Sequence, residues 1–406
     1  MSTVTITSAP VADVLTEKPR ISSIDLVRGI VMVIMALDHA RDFYHFGALS
    51  ADPTNLQTTT PVVFFTRWIT HFCAPAFVFL AGTSIRISLL RKTKKELSIF
   101  LLTRGLWLIL LEVLVVRFGL FFNLYYDITI FQVIWVIGAS MVCMAALIHI
   151  SEYAVLAIGL LITFGHNATD AIRLQAGDPL FPVWAFLRQT GFLSISPENN
   201  VMVMYPLLPW LGIMILGYVL GKLYRTDFDP VQRQKVLLRI GLACVGLFIV
   251  LRLINEYGDP SEWSVQKNAL FTVMSFLNVT KYPVSLLYTL MTLGPVLITL
   301  SLLEGRQIKL LKPFLVFGRV PLFYYVLHFY LIHATALALF MIKTDTSFSD
   351  LDFHFNKSFG GITAQGGYSL FWAYVGWIAV VVALYPVCKW YNRYKSTHSH
   401  WWLSYV

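Results

Sequence analysis

A stripe of charged side chains and one histidine lies within an apolar segment near the start of the chain. Arg28 and His39 are eleven residues apart, which at about 100° per helical residue puts them within about 20° of each other. Asp42 follows His39 at i+3 and can orient its ring, whereas Asp38 points about 100° away and is better placed to pair with Arg41. Because histidine exchanges protons near neutral pH, we expect His39 to be a general base oriented by Asp42.

Two later apolar segments bring further histidines to a similar depth. His71 lies about ten residues inside the second segment, and His328 follows Tyr324 by one helical turn, with Tyr325 beside them. His71, or His328 together with the Tyr324 phenol, is a candidate donor to a developing negative charge. A packing role is the alternative interpretation of each of these side chains.

Four arginines lie toward the ends of the segments that adjoin basic loops. They are Arg28, Arg86, Arg104 and Arg319. Guanidinium groups bind phosphate or carboxylate oxygens through paired hydrogen bonds, so we expect these side chains to hold an anionic cofactor. Asp25 can pair with Arg28 at i+3, and an interfacial ion pair is an alternative explanation of both.

Two further polar residues lie deeper in the third and fourth segments. Glu112 lies two turns beyond Arg104, and Gln132 begins the next segment. Arg104 and Glu112 fit either a buried ion pair or the two ends of a ligand site. We assign Asp25, Glu112 and Gln132 to a structural polar network.

Long apolar segments must position these groups. Runs of about twenty apolar residues recur along the chain, and each is long enough for a helix to cross a hydrocarbon core of about 30 Å. They predict an all-α integral membrane bundle of about ten helices. The predicted spans are 24–43, 62–85, 97–120, 128–150, 153–164, 202–223, 236–254, 283–303, 314–340 and 370–390.

Basic residues cluster in alternate loops, which predicts that both chain termini are cytoplasmic. We expect residues 1–20 to be a disordered cytoplasmic segment, residues 21–395 to form one transmembrane domain, and residues 396–406 to be a cytoplasmic tail. Two long outer loops, 165–200 and 341–369, are candidates for a lid or vestibule.

Composition excludes several other classes of protein. Hydrophobic residues make up 57% of the chain and charged residues 13%. An ordinary water-soluble globular protein has fewer hydrophobic and more charged residues. The net charge of +9 follows the loop pattern, so we expect no nucleic-acid partner. The four cysteines lie in apolar runs without CxxC spacing and are interpreted as packing residues, and no metal site is expected.

Four stretches resemble the bacterial relatives of heparan-α-glucosaminide N-acetyltransferase, within the wider group of transmembrane acyltransferases. The stretches are 20–30, 73–84, 205–212 and 317–328. In the wider group an arginine near the start of the first span is followed eleven residues later by a histidine, as Arg28 and His39 are here. The resemblance implies transfer of an acyl group from cytosolic acyl-CoA to a carbohydrate amine or hydroxyl at the other membrane face.

The chain also departs from that family. The lysosomal enzyme has an asparagine where this chain has His39, its own implicated histidine corresponds to a position near Pro61, and it has an added luminal domain. The mechanism and acceptor of the lysosomal enzyme therefore cannot be assigned unchanged to this chain.

These observations favour a membrane acyltransferase in the bacterial cytoplasmic membrane, using acetyl-CoA as donor. A proton-coupled transporter using the same buried groups is the alternative, and an inactive sensor or scaffold is a third. The acceptor and the oligomeric state, homo-oligomers included, are not specified by the sequence.

Overall fold

The structure is a computed structural model that describes residues 21–306 and 308–405. The segment 1–20, expected to be disordered, lies outside the described residues. The division into one transmembrane domain and a tail stays a prediction, although the last long helix extends to Thr397 and so includes the first residues of the expected tail.

Helices form most of the described chain. The α-helices of the first half are α1 (Ser22–Tyr44), α2 (Pro61–Thr70), α3 (Cys73–Ser88), α4 (Lys94–Leu111), α5 (Arg117–Phe121), α6 (Val133–Leu147), α7 (Glu152–Gly165) and α8 (Phe181–Leu187). A π-helical turn, Glu112–Val116, joins α4 to α5.

The second half continues in the same way. Its α-helices are α9 (Leu207–Leu220), α10 (Pro230–Ile254), α11 (Ala269–Leu277), α12 (Leu286–Leu303), α13 (Lys312–Arg319), α14 (Pro321–Thr344) and α15 (Leu370–Thr397). Short 3₁₀ turns are found at His166–Thr169, Gly221–Tyr224, Lys309–Leu311, Phe348–Asp350, Ala364–Gly366 and Trp401–Ser404.

Seven helical segments of the described chain are long and apolar enough to cross a membrane. They are Pro61–Ser88, Lys94–Phe121, Leu207–Tyr224, Pro230–Ile254, Leu286–Leu303, Pro321–Thr344 and Leu370–Thr397. Helix α1 has 23 residues but is too rich in charge to join them, and α6 is a shorter apolar helix. A helical membrane bundle is therefore supported, while the number ten and the side of the termini stay predictions.

One small sheet departs from the all-helical expectation. Strands β1 (Ile128–Phe131), β2 (Gly191–Ser194) and β3 (Asn200–Val203) form a three-stranded sheet in the order β1-β3-β2. β3 runs parallel to β1 and antiparallel to β2. The first residues of two expected spans are thus strands, because short runs of β-branched residues pair readily across a sheet.

Two other expected spans are interrupted. The second is broken at His71 and Phe72, between α2 and α3, and the ninth is broken at Val320, between α13 and α14. Pro321 explains the break at Val320, because proline lacks a backbone N–H and disfavours helical geometry at the residue before it.

Two glycines allow α1 and α13 to pack with their backbones in contact. A Cβ atom on Gly29 would lie 1.8 Å from the carbonyl oxygen of Phe314, and one on Gly318 would lie 1.7 Å from the carbonyl oxygen of Asp25. Small residues permit such close approach of membrane helices. This contact fixes the start of α1, and with it Arg28, against the helix that carries Arg319.

Candidate functional site

A cavity of about 1000 Å³ lies at the end of the bundle where α1 finishes. We call it the histidine cavity because His39 and His71 both line it. Its walls come from α1, the break between α2 and α3, the loop after α1, and the segment before α12. The polar lining residues used below are Asp38, His39, Arg41, Asp42, Arg67, His71, Gln132, Tyr205, Lys281, Tyr282 and Tyr325.

His39 and His328 are directly hydrogen-bonded across α1 and α14. His39 Nδ1 lies 2.6 Å from His328 Nε2, and His328 Nδ1 lies 3.0 Å from the carbonyl oxygen of Tyr324. A carbonyl only accepts, so His328 Nδ1 carries the proton that it donates to Tyr324. Neutral His328 therefore accepts at Nε2, and His39 donates from Nδ1.

This chain of hydrogen bonds fixes the tautomer of His39. Its Nδ1 is protonated, so its Nε2 keeps a lone pair. That nitrogen has no hydrogen-bond partner within the described part of the chain and is not enclosed by protein atoms. An imidazole with a free lone pair in a cavity is equipped to act as a general base.

The expected orientation of His39 by Asp42 is wrong. Asp42 instead pairs with Arg41, with 2.5 Å between Arg41 Nη2 and Asp42 Oδ1. Asp38 pairs with Arg41 as expected, at 3.0 Å. Asp38 also accepts a hydrogen bond from Arg67. The expectation failed because a histidine on another helix, 289 residues away in sequence, occupies the Nδ1 position.

The Asp38–Arg41–Arg67 network was not anticipated as part of a site. Asp38 is 7% exposed and Arg41 is 4% exposed, yet both line the histidine cavity. Arg41 pairs with Asp38 and Asp42, and Arg67 pairs with Asp38, so two carboxylates and two guanidinium groups offset each other's charge inside the bundle. The i+3 spacing of Asp38 and Arg41 indicated their pairing from the sequence. No local spacing indicated that Arg67 of α2 joins them.

His71 lies at the break between α2 and α3 and faces the same cavity. It is 3% exposed, and its Nδ1 has no hydrogen-bond partner within the described residues. Its backbone carbonyl accepts a 2.7 Å hydrogen bond from the hydroxyl of Tyr288. The structure thus brings His71 into the site with His39 but on a different wall.

Tyr324 does not reach the site through its phenol. Its ring stacks on His328 at 5.3 Å between centroids, and its enclosed hydroxyl has no partner within the described chain. Its contribution is the carbonyl oxygen that fixes His328. Neither Tyr324 nor His328 lines the cavity. The neighbouring Tyr325, about 100° further round α14, lines it instead.

Lys281, Tyr282 and Tyr205 also line the histidine cavity. The Tyr282 hydroxyl accepts a 3.4 Å hydrogen bond from Arg67 Nη2. Burial opposes ionisation of the Tyr282 phenol, but the charges of Lys281 and Arg67 outweigh it and lower its pKa. Lys281 adds a positive charge to the lining of the histidine cavity.

A second cavity, of about 550 Å³, lies at the end of the bundle where α1 begins. We call it the basic cavity. Of the arginines expected to hold an anion, Arg28, Arg104 and Arg319 line it, and Arg91 and Lys395 join them. Asp25 is the only carboxylate among the described residues that line it, and its Oδ1 lies 3.5 Å from Arg28 Nη1. Arg28 also donates to the Leu80 carbonyl oxygen at 3.0 Å.

Arg86 lies outside the basic cavity, contrary to expectation. It forms an ion pair with Glu152 and a 3.3 Å hydrogen bond to the hydroxyl of Tyr218. Arg86 lies near the end of α3, as an anion-binding side chain could, but Glu152 of α7 and Tyr218 of α9 already bind its guanidinium group.

The expected structural network is divided among three places. Glu112 is fully buried and accepts a 2.8 Å hydrogen bond from the backbone N–H of Trp135, in the first turn of α6. A carboxylate stabilises a helix start through its free N–H groups. Gln132 precedes α6 and lines the histidine cavity, whereas Asp25 lines the basic cavity.

The two cavities share part of their walls. Met35, Phe77, Val133 and Tyr325 line both. Met35 lies one turn before His39 on α1, so the shared wall adjoins the histidine pair. The arrangement places a base on one side of a mostly apolar partition and a group of cations on the other.

Within residues 21–306 and 308–405, no group of three or more His, Cys, Asp or Glu side chains could hold a metal ion. All four cysteines are free thiols. The histidine cavity is lined by the Cys73 thiol and the Lys281 amine as well as by imidazoles, phenols and ion pairs.

Comparison with known proteins bears on the whole arrangement. No curated protein matches the chain. The family model for the catalytic region of heparan-alpha-glucosaminide N-acetyltransferase matches residues 20–250, which include α1 with Arg28 and His39, the α2–α3 break, and Arg104. This match covers more than half of the 406 residues. The chain therefore belongs to the heparan-alpha-glucosaminide N-acetyltransferase catalytic family.

Proposed function

We propose that the protein transfers an acyl group from acyl-CoA, bound in the basic cavity, to a hydroxyl or amine held in the histidine cavity. Family membership supports a membrane acetyltransferase-type activity in general. The observation that carries the finer proposal is the partition shared by the two cavities, beside which the free lone pair of His39 lies. A thioester and an acceptor can meet there from opposite sides.

His39 acts as the general base in this proposal. Its Nε2 takes the proton from the acceptor O–H or N–H while the acceptor atom attacks the thioester carbonyl carbon. The tetrahedral intermediate collapses, the C–S bond breaks, and the proton on His39 passes to the departing CoA thiolate. Positioned acid–base groups of this kind contribute about 10²–10⁴-fold in rate. His328 is a positioning residue because it acts only through the tautomer of His39.

The basic cavity suits the phosphates of CoA. Arg28, Arg104 and Arg319 are accompanied by Arg91 and Lys395, and Asp25 is the one carboxylate among the described residues of the lining. Cations on several helices can bind a polyanion that a single side chain would hold weakly. The apolar remainder of the lining, including Met32 and Leu108, suits an uncharged arm that reaches toward the partition.

The acceptor is proposed to be carbohydrate-like, following the amino sugar in the family's name. His71, Gln132 and Lys281 all line the cavity and offer hydrogen bonds to its hydroxyl groups. Asp42 keeps a place in this proposal only as a partner of Arg41. We propose a cytoplasmic membrane location in a bacterium, with the basic cavity open to the cytoplasm.

The test uses the full-length protein in lipid nanodiscs with isotope-labelled acetyl-CoA and a panel of amino sugars and neutral oligosaccharides. Mass spectrometry of the acylated product and release of free CoA thiol report transfer. We expect His39→Gln to lower turnover by about 10²–10⁴-fold, while His149→Gln, an exposed histidine on neither cavity, keeps wild-type turnover.

Two outcomes would contradict the proposal. Full transfer activity in His39→Gln would remove the assigned base. Gradient-driven uptake of a solute into proteoliposomes, with no acylated product from any acceptor, would instead favour a proton-coupled transporter.

A further inference from the structure

Tyr325 has a distinct position on the partition between the two cavities. Of the four described residues that line both, only Tyr325 carries a side-chain O–H or N–H donor; the others are Met35, Phe77 and Val133. The Tyr325 side chain is 4% exposed. A reaction at this partition therefore finds one hydroxyl there.

The Tyr325 hydroxyl is available to a ligand. It has no hydrogen-bond partner within the described part of the chain, and it is not among the enclosed polar atoms that lack a partner. A buried tyrosine usually finds a partner for its O–H. A phenol that lines two cavities and has no protein partner is therefore equipped to bind something that enters them.

The Tyr325 ring is held rigidly beside the base. Its centroid lies 6.5 Å from that of His39 with the planes at 83°, and it packs edge-on against His328 at 5.6 Å and Phe329 at 5.2 Å. These contacts fix the orientation of the phenol ring beside His39. Preorganised donors are effective because they need no rearrangement during the reaction.

We propose that the Tyr325 hydroxyl is the hydrogen-bond donor to the thioester oxyanion. The inference rests on the proposed acyl transfer. When the acceptor atom bonds to the carbonyl carbon, the C=O π electrons move to oxygen, and that oxygen accepts a hydrogen bond from Tyr325. When the C=O bond re-forms, the C–S bond breaks. Tyr325 keeps its proton throughout.

The other candidate donors are placed less well. The Tyr324 hydroxyl is enclosed and lines neither cavity. Both ring nitrogens of His328 are already used, one by His39 and one by the Tyr324 carbonyl. His71 lines only the histidine cavity and is absent from the partition.

Two adjacent tyrosines provide a matched experiment. Steady-state acetyl transfer is measured for wild type, Tyr325→Phe and Tyr324→Phe in nanodiscs, with thermal unfolding of each. We expect Tyr325→Phe to lower kcat by about 10²-fold, the size seen when one oxyanion donor is removed. KM for acetyl-CoA should stay within about threefold because the lost bond exists only in the transition state. Tyr324→Phe should keep wild-type kcat.

Each other result overturns the assignment. Wild-type kcat in Tyr325→Phe refutes it while leaving the proposed acyl transfer intact. A marked fall in the unfolding temperature of Tyr325→Phe would show that the hydroxyl has a structural partner. Equal losses of kcat in the two variants would indicate a general packing effect. Absence of any acylated product from the wild type refutes the proposed function and this role with it.

Discussion

Replacing His328 with phenylalanine tests the tautomer argument without touching the base. The variant removes the acceptor that holds the proton on His39 Nδ1, since His328 Nε2 lies 2.6 Å away in the native protein. A buried N–H without an acceptor costs about 1–3 kcal/mol. His39 then favours the tautomer protonated at Nε2, which points the proton instead of the lone pair at the acceptor.

The size of the effect follows from that cost. A factor of ten corresponds to about 1.4 kcal/mol, so the ratio of the productive to the unproductive tautomer of His39 should fall about 5- to 150-fold. We expect kcat for acetyl transfer to fall with the fraction of the productive tautomer, by up to the same factor. KM for acetyl-CoA should be unchanged, because His328 does not line the basic cavity.

The assay is acetyl transfer in nanodiscs, normalised to folded protein by thermal unfolding. His333→Gln is the control on the same helix, because His333 is buried and bonds only backbone carbonyls of Gly119 and Gly360. It should lose stability but keep turnover per folded molecule. A His328→Phe enzyme with turnover within threefold of wild type would refute the hydrogen-bond relay.

Two further predictions concern the cofactor and the fold. Arg319→Gln should raise KM for acetyl-CoA by about tenfold, as expected when a hydrogen bond to a charged group is lost. Arg86→Gln should leave this KM unchanged, because Arg86 pairs with Glu152 outside the basic cavity. Equal changes of KM in the two variants would reject the basic cavity as the acetyl-CoA site. Gly29→Ala should lower the free energy of unfolding by about 1–3 kcal/mol through overpacking. Gly246→Ala on α10 should leave it unchanged, because a Cβ atom there meets no atom within 4 Å. Both are measured by thermal unfolding in detergent, and an unchanged stability of Gly29→Ala would reject the close contact of α1 with α13.

Helical geometry predicted much of the site from local spacing. His39 and His328 were expected at one depth, and their rings are hydrogen-bonded. The pairing of Asp38 with Arg41 was also expected and is confirmed. Such predictions succeed because rise and rotation per residue are fixed within a helix.

Choices between helices could not be made in the same way. Asp42 was assigned to His39 because i+3 geometry permits it, but the partner of His39 comes from α14. Tyr324 was chosen over Tyr325, and a rotation of about 100° between neighbours decides which phenol reaches the cavity. These outcomes depend on how α1 and α14 are rotated against each other, which no local pattern encodes.

The irregular segments were the other difficulty. Apolar runs at 128–150 and 202–223 were expected to be continuous helices, but each begins with a strand of the small sheet. Short runs rich in β-branched residues fit either a buried helix or a buried strand. The apolar run at 62–85 was likewise expected to be one continuous span, but it is broken at His71, and this histidine lines the histidine cavity.

The hydrogen bond between His39 and His328 also explains why a histidine, and not a carboxylate, can orient the general base His39 in this bundle. An additional ionised group deep among membrane helices costs about 2.5–3.5 kcal/mol on insertion scales unless it is paired. The nearby cations Arg41 and Arg67 are already engaged by Asp38. A neutral relay from His39 through His328 to a backbone carbonyl orients the base without a further buried charge, and it leaves the Asp38 network free to stabilise the cavity wall.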